Sequence, residues 1–218
     1  MYLHSLFYVM FVDIHTHNKY SKDFIAIRNL SLIEAGQVLS GENTAFFSVG
    51  IHPWNTDEYS EQWLTVLFEN ASNHRVVAIG ECGLDKNIST TLEKQIVIFE
   101  KQIVISEKIK KPLLIHCVGY FNELMAVRKQ WNPEQQWIIH GFRGKPQLAR
   151  QLLNAGMALS YGEKFNTDSL KITTLSELYI ETDESKLSIC EIYKMIAAAK
   201  GCEISALSAG YDLMKKYC

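Results

Sequence analysis

The sequence has no CxxC pair, no long apolar run, no excess charge of either sign and no linker-like or low-complexity tract. Its five cysteines, Cys82, Cys117, Cys190, Cys202 and Cys218, form no recognisable framework, and an odd count without paired spacing suits a reducing compartment. A cytoplasmic protein is the expectation. The formal net charge of −2 supplies no global attraction to polyanions, so any contact with nucleic acid has to come from a local cluster of Lys and Arg. The opening MYLHSLFYVMFV is apolar, yet it carries no basic n-region and no small-residue cleavage site and is far shorter than a spanning helix. Neither a targeting signal nor a membrane protein is therefore expected.

What is present is ordinary for a folded chain: 47% hydrophobic and 21% charged residues over 218 positions, enough for a sizeable core. With no dividing tract, residues 1–218 are expected to form a single domain. Met10 stands directly before FVDIHTH, so residues 1–9 are either an upstream extension, dispensable for fold and activity, or a segment that lengthens the first strand or covers the barrel floor.

Eight short apolar, β-branched-rich runs alternate with longer amphipathic stretches: VMFVDIH, DFIAIRNL, AFFSVGIH, RVVAIGE, PLLIHC, QWIIHG, GMALSYG and ELYIETD. Continuous apolar runs separated by helix-like segments argue for parallel βα units buried on both faces, and eight of them for a closed TIM-like (β/α) barrel. Its edge is expected to be trimmed. The connection from Asn18 to Asp23 is too short for a helix, and the next holds at most a stub around Glu34 to Leu39. From Ser89 to Lys108, Leu92, Ile96, Phe99 and Ile103 mark one helical face, and the repeated heptads KQIVIFE and KQIVISE are too few for a coiled coil. Further helices are expected over Glu58 to Asn73, Tyr120 to Gln130, Pro146 to Asn154 and Leu187 to Lys200, the last continuing into Ser205 to Tyr217.

The chemistry-bearing residues share one position in this pattern. His15 and His17, Glu81, His116, His140 and Asp183 all lie at or just past the C-terminal end of a strand-like run. In an α/β barrel that end is the catalytic face. His15 and His17 are two apart, so an extended backbone projects both imidazoles to one side, where they can share an ion. A lone HxH is weak evidence, and a single histidine at a strand end is more often structural. Five of seven histidines so placed, together with a Glu and an Asp, point to a metal centre with imidazole and carboxylate ligands. His4 and His74 fall outside the pattern. His52 ends a strand, but packing beside Pro53 and Trp54 explains it nearly as well as substrate contact. Cys82 and Cys117 follow Glu81 and His116 directly, so alternation turns them toward the helices.

FVDIHTH, VGIHPW, AIGECGLD, the helix bearing Gln95, Phe99 and Gln102, KPLLIHC, IIHGFRG, SYG and ETDES follow one another in an order and spacing that resemble the TatD family of metal-dependent hydrolases. The resemblance covers most of the chain and implies two divalent ions, Zn, Mn or Mg. One would be held by His15, His17, Glu81 and Asp183, the other by Glu81, His116 and His140, with Glu81 bridging. It further implies hydrolysis of a phosphodiester, possibly single-stranded DNA, by a metal-activated water whose proton Asp183 accepts. The chain departs from the family where Asn18, Lys19 and Tyr20 lead almost straight into the next strand. It departs again where Cys117, Val118, Gly119 and Tyr120 follow His116 without an Arg two positions on, and where the loop after ETD lacks prolines.

The same centre could attack an amide, ester or lactone, and a barrel that keeps metal only for structure is the non-enzyme alternative; a monomer is the default state. Cations around the mouth discriminate between substrates. Lys19, Lys86, Arg143, Lys145, Lys164 and Lys186 share their loops with Asp23, Asp85, Glu163 and Glu184, and Arg143, three residues past His140, is the best candidate anion clamp.

Overall fold

A computed structural model describes residues 11–18, 23–41 and 45–217. Every one of the eight apolar runs overlaps a strand, β4 continuing past its run so that Glu81 lies within it: β1 (Val12–Thr16), β2 (Ile25–Leu30), β3 (Phe46–Val49), β4 (Val76–Asp85), β5 (Leu113–Val118), β6 (Trp137–Ile139), β7 (Met157–Tyr161) and β8 (Leu178–Ile180). They pair in parallel in chain order. A parallel bridge between Thr16 and Asp183 brings β8 back to β1, so the sheet curls into a barrel. The helices are α1 (Leu32–Val38), α2 (Gln62–Ser72), α3 (Leu92–Ile109), α4 (Phe121–Trp131), α5 (Pro146–Asn154), α6 (Thr167–Ile172), α7 (Ile189–Lys200) and α8 (Ala209–Met214). Among the described residues none is long and apolar enough to cross a membrane.

The barrel is trimmed after β2 as expected; most of the first connection, residues 19–22, lies outside the described residues. After β2 only the seven-residue α1 follows, started by a capping box in which Ser31 and Glu34 exchange hydrogen bonds. The long α3 is capped by Thr91, whose side chain accepts from the Lys94 N–H, and it ends at Lys110 in the left-handed conformation. Two elements differ from expectation. The final helix does not run on from α7: Gly201, at φ 72°, stops it, and a 3-10 turn over Ile204–Ala206 precedes α8. The six-residue α6 gives no readable periodicity, because it is too short and polar, and it is set by Asn166, whose side chain accepts from Asp168 and Ser169 N–H groups. Residues 1–9, with the question of an extension, lie outside the described residues, as does Lys19.

Two apolar clusters hold the molecule together. The larger lies between sheet and helices and includes Val49, Cys82, Phe99, Trp137 and Tyr193. The smaller fills the barrel: Val12, Ile14, Ile27, Val77, Leu114, Ile138, Ala158 and Tyr179, closed at the floor by Ala209 and Met214 of α8. Cys82 is buried in the helix-facing cluster and Cys117 packs against it, as strand alternation requires.

Candidate metal centre

The inward face of the barrel changes character along its strands. Ile27, Leu114, Ile138, Ala158 and Tyr179 are apolar and lie in the interior cluster. Two residues further along the same chains come Asn29, His116, His140, Ser160 and Glu181, which strand periodicity keeps on the same side. The floor is thus a packed core and the mouth a polar constellation, the division expected of this architecture.

Glu81, 6% exposed, stands at the centre, and its two oxygens face different partners. On the Oε1 side lie His15 Nε2 at 3.4 Å and His17 Nε2 at 3.1 Å, and Asp183 Oδ1 is 3.8 Å from each of these nitrogens. On the Oε2 side lie His140 Nε2 at 2.9 Å, His52 Nε2 at 3.5 Å and His116 Nδ1 at 3.8 Å. Donor atoms within 4.8 Å of one another can be chosen from His15, His17 and Asp183, and likewise from His52, Glu81 and His116. The six residues expected to hold metal converge, and His52 joins them. Close approach is built into the backbone. A Cβ on Gly50 would come within 2.5 Å of the Glu81 carbonyl oxygen, so only glycine lets the chain leaving β3 pass the part of β4 that carries this carboxylate.

The side chains fit a cation. His15 is fully buried, and neither ring nitrogen has a hydrogen-bond partner among the described residues. An imidazole so placed is costly unless its lone pair is used. Burial, and after it the neighbouring His140, push the His15 pKa down to about 3, so the ring is neutral and able to coordinate. Burial opposes ionisation of Glu81, but hydrogen bonds from His140, His17 and His52 outweigh it and lower its pKa. His140 is raised to about 10 against the pull of burial, because it lies between Glu181 and Glu81. A cation at its Nε2 would displace that proton.

The sequence profile described as TatD related DNase matches residues 12–188. The chain belongs to the TatD family. A protein of Buchnera aphidicola subsp. Baizongia pistaciae, named an uncharacterized metal-dependent hydrolase, is 33% identical over 69% of this chain and 60% of its own. The protein of Erwinia billingiae named 3'-5' ssDNA/RNA exonuclease TatD is 32% identical over 51% of this chain and 44% of its own. The chain thus spans about half the length of these curated relatives. Among solved structures, the TatD homologue YJJV of Escherichia coli K12 superposes with a TM-score of 0.81 over 95% of this chain and 97% of that one, at 18% identity. That likeness is one of fold.

In this TatD-family chain the histidines facing Oε2 have carboxylate partners behind them. His116 Nε2 lies 3.0 Å from Asp85 Oδ2, and His140 Nδ1 lies 3.6 Å from Glu181 Oε1. Such partners fix the ring and its tautomer and strengthen it as a ligand. Asp85 and Glu181 were not legible as functional from spacing alone, although Glu181 carries a signal: it continues the inward series two residues after Tyr179. Asn29, missed likewise, donates from Nδ2 to Glu81 Oε1 at 3.2 Å. Asp85→Ala is expected to weaken metal affinity 10- to 100-fold in competition with a chromophoric chelator; unchanged affinity would show that His116 needs no such support.

The loops are anchored from below by α3. Gln102 accepts the Ile51 N–H at 2.7 Å and donates to the Ile51 carbonyl at 3.0 Å, fixing the approach to His52. One heptad earlier, Gln95 accepts from Asp85 N–H at 2.8 Å and donates to its carbonyl at 3.0 Å. The repeated heptad therefore positions two loops of the site. Asp183 sits at φ 54°, in the left-handed region that Asp tolerates better than most residues. Its N–H donates to the His15 carbonyl at 2.9 Å and its carbonyl accepts from His17 N–H at 3.1 Å, so β1 itself fixes this carboxylate.

Arg143 is not brought to the ligands. It lines a second cavity of about 300 Å³ with Lys164, Glu163 and Ser185, adjoining the main cavity of about 380 Å³ at Asp183 and Glu184.

Proposed function

We propose that this chain is a metal-dependent phosphodiesterase that trims single-stranded nucleic acid from the 3′ end. The observation that carries the reading is the division of Glu81, one oxygen toward His15, His17 and Asp183 and the other toward His116 and His140. That donor set suits two divalent ions sharing one carboxylate, of Zn, Mn or Mg identity. Ions held there would activate a water, polarise the phosphoryl oxygen and stabilise the leaving oxygen. Asp183, its pKa raised by burial and then by Glu181, takes the proton of the attacking water, since its side chain is open to the cavity and close to the first ligand set. The polarity of cleavage follows the name borne by the Erwinia relative.

Arg143 holds the phosphate next along the strand, from the adjoining cavity, with a guanidinium fork that matches two phosphate oxygens. Metal-loaded protein should shorten 5′-labelled single-stranded DNA stepwise. Arg143→Ala should slow this about tenfold, keep its metal, and make the dependence of log affinity on log salt shallower by roughly one phosphate contact. Rapid turnover of lactones or amides without phosphodiester cleavage in Mg, Mn and Zn would reject the nuclease reading.

A further inference from the structure

Trp54 is 67% exposed, whereas Trp137 is fully buried and Trp63 and Trp131 are half-buried. It lies in the 3-10 turn Pro53–Asn55 that follows β3, and it lines the same cavity as Glu81, His116, His140 and Asp183. A single ring left in water is ordinary on a protein surface, but this one faces the candidate site. This one is also immobilised. Its backbone N–H donates to His52 Nδ1 at 3.1 Å, and its indole Nε1 donates to Asp85 Oδ2 at 2.8 Å. The ring stands edge-to-face with two site histidines, its centroid 4.9 Å from His52 at 79° and 6.1 Å from His116 at 73°.

These contacts satisfy the only polar atom of the indole and fix its orientation, while most of the ring remains open. An aromatic ring already held in place loses little freedom on binding, so a flat partner can stack on it at low entropic cost. From this, and resting on the nucleic-acid reading above, we infer that Trp54 is the stacking platform for the base of the nucleotide whose phosphate enters the metal cavity. Every base has a π-face, and such a platform is indifferent to sequence. It serves a trimming enzyme that has to accept each successive nucleotide, and it assigns base contact to Trp54 while phosphate contact stays with Arg143 and the metal centre.

The test is a double-mutant cycle between the ring and the base, run on the full metal-loaded chain with oligonucleotides whose 3′-terminal linkages are phosphorothioates, which resist cleavage during the measurement. Two fluorescent oligothymidylates are compared by anisotropy, one intact and one abasic at its 3′-terminal nucleotide. Removing the base is expected to weaken binding to the unmodified protein about tenfold, within the range for base–aromatic stacking. In Trp54→Leu the two oligonucleotides should bind within about twofold of each other, and Trp54→Phe, which keeps a ring, should restore most of the discrimination. Binding that loses as much from the missing base in Trp54→Leu as in the unmodified protein would overturn the assignment alone. A metal-loaded, unmodified protein that neither binds these oligonucleotides nor cleaves their phosphodiester counterparts would overturn the nucleic-acid reading instead.

Discussion

Asp183→Asn is expected to leave the barrel folded and most of the metal in place while lowering turnover by on the order of 10² to 10⁴, the usual contribution of a general base. The amide keeps an oxygen that can face the first ligand set but has almost no affinity for a proton. The backbone hydrogen bonds between residue 183 and His15 and His17 do not involve the side chain, so they survive the change. Asn also tolerates the left-handed conformation that φ 54° demands, which makes it a gentler probe than Ala. Single-turnover cleavage of labelled single-stranded DNA, together with metal content, checks the result. A folded, metal-loaded Asn variant with near-normal turnover would assign the proton to another group.

Much of this site could be read before the fold was known, because strand ends are visible in a sequence. Apolar runs such as PLLIHC and QWIIHG end on their histidines, and a parallel barrel brings all such ends to one mouth. The residues that escaped notice act through another residue. Asp85 touches His116 and Trp54, Glu181 touches His140, and Asn29 touches Glu81; each pairing joins different strands or loops, a relation that no linear spacing encodes. Asp85 and Glu184 were read together as acids diluting the cationic rim, yet Asp85 is buried and serves the ligands while Glu184 lines the cavity. Arg143, expected over the mouth from its distance to His140, lines a cavity beside the main one, the two meeting at Asp183 and Glu184. The last helix was read as continuous because apolar periodicity resumes beyond Gly201, although that glycine is itself a stop signal.

Glu81→Gln should do more damage than any other conservative change, and unevenly. The carboxylate offers an acceptor oxygen to each ligand set, whereas a glutamine offers one acceptor and one donor. Asn29 decides which goes where: its Nδ2 already donates to the Oε1 position at 3.2 Å, and two amide nitrogens facing each other there would leave that donor without an acceptor. The glutamine oxygen therefore settles toward His15, His17 and Asp183, and its NH2 points at His140, His52 and His116. A donor in that place competes with a cation for the imidazole lone pairs, and the lost negative charge weakens both positions. Elemental analysis of the purified variant should show bound metal falling from about two equivalents to about one or fewer, with turnover below that of Asp183→Asn. Full occupancy by both ions in Glu81→Gln would mean that this carboxylate does not bridge them, and the division of its two oxygens would then reflect hydrogen bonding among the histidines alone.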